Sequence, residues 1–253
     1  MNWISFSTHF KREFQRFFTV PHTTIYPQLL VVFFYMLIFG IAIGSRIREV
    51  HGYGYLLFIL PGLLVQNIIN GSYSNPSGSL FVARSMGFIT DILLAPLSYA
   101  EMITGYLLAG ILRGFFLGIG TLIIALFFIK VHIAHPFLLL LYLTLIAYVF
   151  AGLGIIIGLV AKEWQELNIF INFVVTPLTF LGGVFYSLDM VPPLLAALTR
   201  WNPLFAMIDG TRYAMIGFHD ASIYAGVLYL VILSILITSI CLHLFRIGYR
   251  MRT

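Results

Sequence analysis

Asn168, Asn172, Thr176, Thr179 and Gly183 follow one another at steps of three or four residues through an apolar run, and Gly62, Gln66 and Asn70 do the same in another. Such spacing sets each group along one face of a helix. Carboxamides and hydroxyls carry no charge, so the chemistry on offer is hydrogen bonding. In lipid an unmet polar side chain is costly and turns toward protein or a water-filled path. Gln66, Asn70, Asn168, Asn172, Thr176 and Thr179 are therefore candidate lining residues of a route through a membrane. The other use of such stripes, hydrogen bonding from helix to helix, stays open for both.

Little else in the chain has the makings of chemistry. His132 and His135 stand at i, i+3, but beside Pro136 with no carboxylate near, which is the pattern of a solvated turn rather than of a metal pair. Cys241 is the single cysteine; inside an apolar run, it lacks a partner for a disulfide or a metal pair. There is no Gly-Lys-Ser/Thr phosphate loop, no HExxH and no Ser/His/Asp or twin-carboxylate arrangement. The expectation is a chain that is not an enzyme and binds no metal or cofactor of its own. Arg113 is a charge near the middle of an apolar run, twelve residues beyond Glu101 and so ~18 Å from it along a helix. It must reach another span, a lipid phosphate or an anionic substrate, in that order of expectation.

The elements that position these residues are six apolar stretches, residues 27–45, 54–70, 102–129, 137–160, 167–185 and 222–245. Each comes close to the roughly 20 helical residues that cross a ~30 Å hydrocarbon core. Charged residues make up 9% of the chain, against about 25% in soluble domains. Barrel strands alternate over about ten residues, whereas these runs are continuously apolar. The sequence predicts an all-α membrane protein with six transmembrane helices, organised as a single domain over 1–253. The run at 27–45 is too long for a signal-peptide core and reads as a retained span. Six spans put both termini on one side, where Lys11, Arg12, Arg16, Arg246, Arg250 and Arg252 mark the cytoplasm. Arg84 and Lys162 fall on that side, and Arg46, Arg48, Lys130, Arg200 and Arg212 on the other. The basic pI of about 9.4 thus reports topology, because these charges are scattered rather than gathered into a stripe; no nucleic-acid partner is expected.

Three segments depart from a plain bundle. Over residues 1–21, Trp3, Phe6, Phe10, Phe14, Phe17 and Phe18 recur at helical steps with the charges mostly on other faces. This predicts an interfacial amphipathic helix against membrane lipid, either a simple anchor or also a receiver of a cytoplasmic partner. Within 72–101, residues 87–98 read as a short cytoplasmic helix stopped near Pro96. Ile89, Ile92 and Leu93 share its apolar face, offered to a partner's groove or packed back on the bundle. Between 187 and 217, Pro192, Pro193 and Pro203 break an apolar stretch into pieces of about ten residues, too short to span and typical of re-entrant helices. Gly182 and Gly183 supply a flexible joint before it. Finally, Gly110, Gly114 and Gly118, and Ala147, Ala151, Gly154 and Gly158, predict close helix contacts, while Pro61 and Pro177 interrupt the two spans that carry the polar stripes.

In its order of parts the chain resembles the bacterial ABC type-2 permeases, the membrane subunits of ATP-binding-cassette exporters. The resemblance covers essentially the whole chain. Its carriers are the 81–84 segment leading into 91–96, the 176–188 segment followed by Pro192-Pro193 and Asn202-Pro203, Pro61-Gly62-Leu63, and 43–47; together they look most like the YadH-like subgroup. The resemblance implies a homodimer driven by two copies of a separate cytoplasmic ATPase, which holds the ATP and Mg. It makes 84–100 the coupling-helix segment, with Arg84, Phe88, Ile89, Asp91, Ile92, Leu93 and Leu94 coupling to the ATPase. It makes 187–217 an extracellular re-entrant hairpin, and assigns the gate to Gly182, Gly183, Phe185, Pro192 and Pro193. The expected location is the bacterial inner membrane. A rival is a membrane scaffold that transports nothing. An ion-coupled transporter would need a carboxylate near the centre of a span, and none is present. The aromatic content of 16% favours an amphipathic or lipid-like cargo.

Overall fold

At the centre of the bundle lies one helix, α4 (Tyr55–Ser85), 31 residues long and buried on nearly every face. The sequence suggests a span ending at Asn70 followed by a loop; instead the helix runs on through Gly71-Ser72-Tyr73-Ser74-Asn75-Pro76-Ser77-Gly78-Ser79, a polar and small-residue stretch. Its neighbours explain why. Both α6 (Tyr99–Leu126) and α7 (Pro136–Val160) pack along α4, and the glycines expected at close contacts meet its backbone. A Cβ on Gly154 would stand 2.4 Å from the Tyr73 carbonyl oxygen, one on Gly158 2.7 Å from that of Ser77, and one on Gly110 2.9 Å from that of Ser72. Pro76 has no N–H, which frees the Ser72 carbonyl, and Gly110 is the residue that faces it. Tight backbone approach between small residues is the main source of helix association in lipid. Asn67 of α4 adds a hydrogen bond to Thr121 of α6 (2.7 Å).

The computed structural model describes residues 3–19, 21–40 and 49–251. Among them, four helices are long and apolar enough to cross a membrane: α4, α6, α7 and α12 (Ile223–Ile247). The expected first span appears as α3 (Tyr26–Ile38), and its remainder enters residues outside those described, as does the 43–47 motif. A hairpin of β1 (Glu49–Val50) and β2 (Tyr53–Gly54) leads into α4. The expected fifth span is three pieces in series: α8 (Trp164–Ile169), a π-helical segment (Phe170–Val175) and α9 (Thr176–Leu181). The 187–217 segment forms two helices, α10 (Pro193–Trp201) and α11 (Pro203–Ile216). They meet at Asn202, whose side chain accepts from Leu204 N (2.9 Å) and donates to the Leu178 carbonyl (2.5 Å).

α1 (Trp3–Thr19) is amphipathic as expected, with Trp3 and Phe18 exposed. Its charged residues divide: Lys11 and Arg12 are exposed, while Glu13 and Arg16 turn inward. Glu13 is fully buried against the bundle; it accepts from Arg12 (2.8 Å), and Arg16 donates to the Asn75 carbonyl (2.6 Å) beside Pro76. His9 lies against Gly105 and Tyr106 of α6, bonded to the Met102 carbonyl at 3.2 Å. A short α2 (Pro21–Thr24) joins α1 to α3 and ends where Arg113 of α6 donates to the Thr24 carbonyl (3.3 Å). The contact is with this short connecting helix and not with another span, the partner expected first for Arg113.

Candidate functional site

Gln66 and Asn70 of α4 and Asn168, Asn172 and Thr176 of the 164–181 segment line one cleft of about 350 Å³. Five of the six stripe residues thus come together from two distant parts of the chain. The sixth, Thr179, is buried elsewhere and donates to the Val175 carbonyl of its own helix (2.8 Å). The π-helical turn is the physical reason. Its wider pitch keeps the four-residue steps from Asn168 to Asn172 and Thr176 in line, whereas the three-residue step on to Thr179 falls off that face. Tyr73 holds the segment in place, its hydroxyl donating to the Leu167 carbonyl (2.9 Å) and its ring stacked on Phe170 at 5.4 Å. The cleft also takes in Gln28 of α3, Ser74, Ser77, Gly78 and Trp164, none of which the stripe pattern marks. Gln28 is a lone amide in the expected first span and gives no periodic signal. Its Oε1 is buried without a hydrogen-bond partner among the described residues.

At the far end of α4 lies α5 (Ile89–Leu94), a six-residue helix. Ile89 and Ile92, read from sequence as part of a knob for a partner, are 3% and 8% exposed and packed into the chain's own core, with Leu93 half-buried against it. The outward surface is instead Phe88, 54% exposed, and Leu94, 83% exposed, with Asp91 beside them. Arg84 faces inward: its guanidinium donates to the Leu159 and Ala161 carbonyls at the C-terminus of α7, while Arg250 donates to Val160 between them. Cations suit this helix end, where carbonyls have no partner within the helix. The start of α1 and α5 flank a common groove that includes Ile4, Thr8, Arg12, Asp91 and Leu97.

At the opposite end of α4, the joint expected to be flexible is pinned. Gly183 adopts φ +81°, open to glycine at little cost, and its carbonyl accepts from Arg212. Counted from sequence among the outer charges, Arg212 is fully buried and lies over the Phe58 ring at 4.1 Å. Gly182 is buried, and a Cβ there would meet Ile208 of α11 at 2.9 Å. Phe185 stacks on Phe39 (4.9 Å), and its carbonyl accepts from the Tyr55 hydroxyl (3.2 Å). Pro192 and Pro193 start α10 and are exposed. Ser187 donates to Asp220 (2.9 Å), and His51 of the hairpin approaches both Ser187 and Asp189 at 3.3 Å. Hydrogen bonding from Ser187, with His51 beside it, lowers the Asp189 carboxyl against the opposing effect of burial. Among the described residues no group of three or more His, Cys, Asp or Glu side chains is placed to hold a metal.

Comparison with known proteins agrees over most of the chain. The family described as ABC-2 type transporter matches residues 4–216. The chain is 35% identical over 251 residues to the inner membrane transport permease YadH of Escherichia coli strain K12, covering 99% of this chain and 98% of that protein. It is 22% identical over 219 residues to nodulation protein J of Rhizobium leguminosarum bv. viciae (86% and 83% covered) and 23% identical over 252 residues to nodulation protein J of Neorhizobium galegae (96% and 92%).

Proposed function

The chain belongs to the ABC-2 type transporter family, and on that footing we propose that it is the permease subunit of an ATP-driven exporter in a bacterial inner membrane. Two copies form the route, with six spans each and both termini cytoplasmic. Two copies of a separate ATPase, holding ATP and Mg, drive it. The observation that carries this reading is the convergence of Gln66, Asn70, Asn168, Asn172 and Thr176 on one polar cleft among apolar helices. In lipid such groups are retained at a cost, and a scaffold would have no need to gather them along an open cleft.

In this reading α5 is the coupling helix of the 84–100 segment. Phe88, Asp91 and Leu94 meet the ATPase, Ile89, Ile92 and Leu93 anchor the helix to α4 and its neighbours, and Arg84 ties that end to α7. The helices α10 and α11 are the re-entrant hairpin of the 187–217 segment. With Gly182, Gly183, Phe185, Pro192 and Pro193 they close the outer end of the route. Purification of the tagged chain from its native membrane in mild detergent tests the proposal. A stoichiometric cytoplasmic ATPase, two copies of each subunit by mass, is expected. A chain that comes alone, where other permease complexes survive the same preparation, refutes it and favours the scaffold.

A further inference from the structure

Resting on the reading of the cleft as a route, we infer that the part of the cargo it admits is an uncharged, hydroxyl-rich group, a sugar or other polyol, and that Gln28 is one of the residues that recognise it. The polar side chains lining the cleft are five carboxamides, three hydroxyls of Ser74, Ser77 and Thr176, and Tyr73, whose hydroxyl is already bonded to Leu167; no Asp, Glu, Lys, Arg or His is among them. An anionic group would call for arginine or lysine and a cation for a carboxylate or an aromatic cage. Arg16 lies at the edge beside Gly78, its Nη2 3.8 Å from where a Cβ on Gly78 would stand, but it does not line the cleft and donates to the Asn75 carbonyl.

A carboxamide offers two N–H donors and an oxygen acceptor in one plane, and a hydroxyl donates once while accepting twice. Neighbouring hydroxyls on a ring match a set of facing carboxamides without leaving either side unpaired. Gln28 supplies the most direct sign, since its buried Oε1 lacks a donor among the described residues and an incoming O–H is a neutral group that satisfies it. Trp164 adds an apolar wall. Its indole is about half exposed, lies against Gly78, where a Cβ would stand 3.4 Å from it, and is held edge-on by Phe81 at 5.7 Å. A sugar presents both an apolar C–H face and a hydroxyl rim, which this pairing of indole and amides fits. The cleft, about 350 Å³, falls in the range of small-molecule sites, ~300–1,000 Å³.

The test uses the full chain in lipid nanodiscs with Trp3→Phe and Trp201→Phe, so that Trp164 alone reports. Octyl glucoside, octyl sulfate and octyltrimethylammonium, which share a tail and differ in the head, are titrated below their micelle concentrations. Saturable quenching by the glucoside at about ten-fold lower concentration than by either charged probe, with the preference lost in Gln28→Leu and in Asn172→Leu while helix content is unchanged, is the expected result. Equal response to all three probes means that the tail alone is bound and overturns the inference. A charged probe preferred, or no saturable response to any, overturns it as well. Failure of the exporter reading shows separately, as a chain that purifies without an ATPase whichever probe it binds.

Discussion

Replacing Gly154 by alanine tests whether the bundle is held by backbone contact between α4 and α7. The added Cβ would stand 2.4 Å from the Tyr73 carbonyl oxygen and 2.9 Å from Pro76 Cγ, where ordinary contacts begin at 3.4 Å. Neither neighbour is free to swing aside, so the helices must part by about 1 Å, and overpacking of this kind costs about 1–3 kcal/mol. Gly118→Ala is the matched control. Its Cβ would meet the Ile68 and Leu64 side chains at 3.1–3.3 Å, and these can rotate. Both changes bring the same gain of about 0.8–1.0 kcal/mol in helix propensity, so the difference between the variants isolates the steric cost. Unfolding of the purified chain in mixed micelles, followed by Trp164 fluorescence against the mole fraction of dodecyl sulfate, should place Gly154→Ala about 1–3 kcal/mol below Gly118→Ala. Agreement of the two within about 0.5 kcal/mol would refute backbone contact as the clamp. Tyr73 also holds the 164–181 segment, so Gly154→Ala should slow export in proportion to its loss of stability.

Leu94→Asp should leave the isolated chain as stable as before, because Leu94 is exposed, yet weaken ATPase association roughly 10- to 100-fold, the equivalent of about 1.5–3 kcal/mol of leucine burial. Ile92→Asp should unfold the α5 region, and pull-down with thermal unfolding separates the two outcomes. Arg84→Ala exposes the C-terminal carbonyls of α7, so amide exchange at residues 160–163 should rise and stability fall by about 1–2 kcal/mol; unchanged exchange would deny the cap. Burial lowers the His9 pKa from 6.5, with Arg12 acting in the same sense and Glu13 and the Met102 carbonyl opposing. A depressed histidine contributes stability that is present above its unfolded pKa of 6.5 and is lost as pH falls through the lower folded value. Proteolysis near Lys11 should therefore increase on acidification below pH ~6, and His9→Gln should flatten the change. A pH-independent cleavage rate in the parent chain would contradict that linkage.

Apolar runs and small-residue spacing made the helices and their contact faces legible in the sequence, because both signals are local. The extension of α4 past Asn70 was not, since Ser72, Asn75, Pro76 and Ser79 have loop chemistry until the glycines of α6 and α7 supply their surroundings. The stripe from Asn168 to Thr176 converged with Gln66 and Asn70 as a periodic reading suggests, but that reading assumes one α-helical pitch and fails beyond the π-helical segment, where the three-residue step to Thr179 leaves the face. Burial of Glu13 and Arg212 was equally hidden. A charge on a short amphipathic helix or between proline breaks looks solvated until the tertiary fold lays α4 against the one, where Asn75 bonds the Glu13 carbonyl, and brings the Gly183 carbonyl to the other. Gln28 carries no pattern at all.

The length of α4 has a mechanical meaning. A rod of 31 residues is ~46 Å from end to end, enough to pass from one surface of the membrane to the other without a joint in a loop. Its lower end carries Arg84, clasped to α7, and leads at once into α5; near its upper end Phe58 lies under Arg212, and Gly62 admits Val184 so closely that a Cβ would stand 2.7 Å from it. A push at α5 therefore has no slack to take up before it reaches the residues that hold Gly183. Two prolines soften the shaft, Pro61 toward its upper end and Pro76 farther down, and at the second Arg16 of α1 grips the neighbouring carbonyl. A bar that would carry load between the two surfaces is thus steadied at its lower proline by the helix lying across its foot.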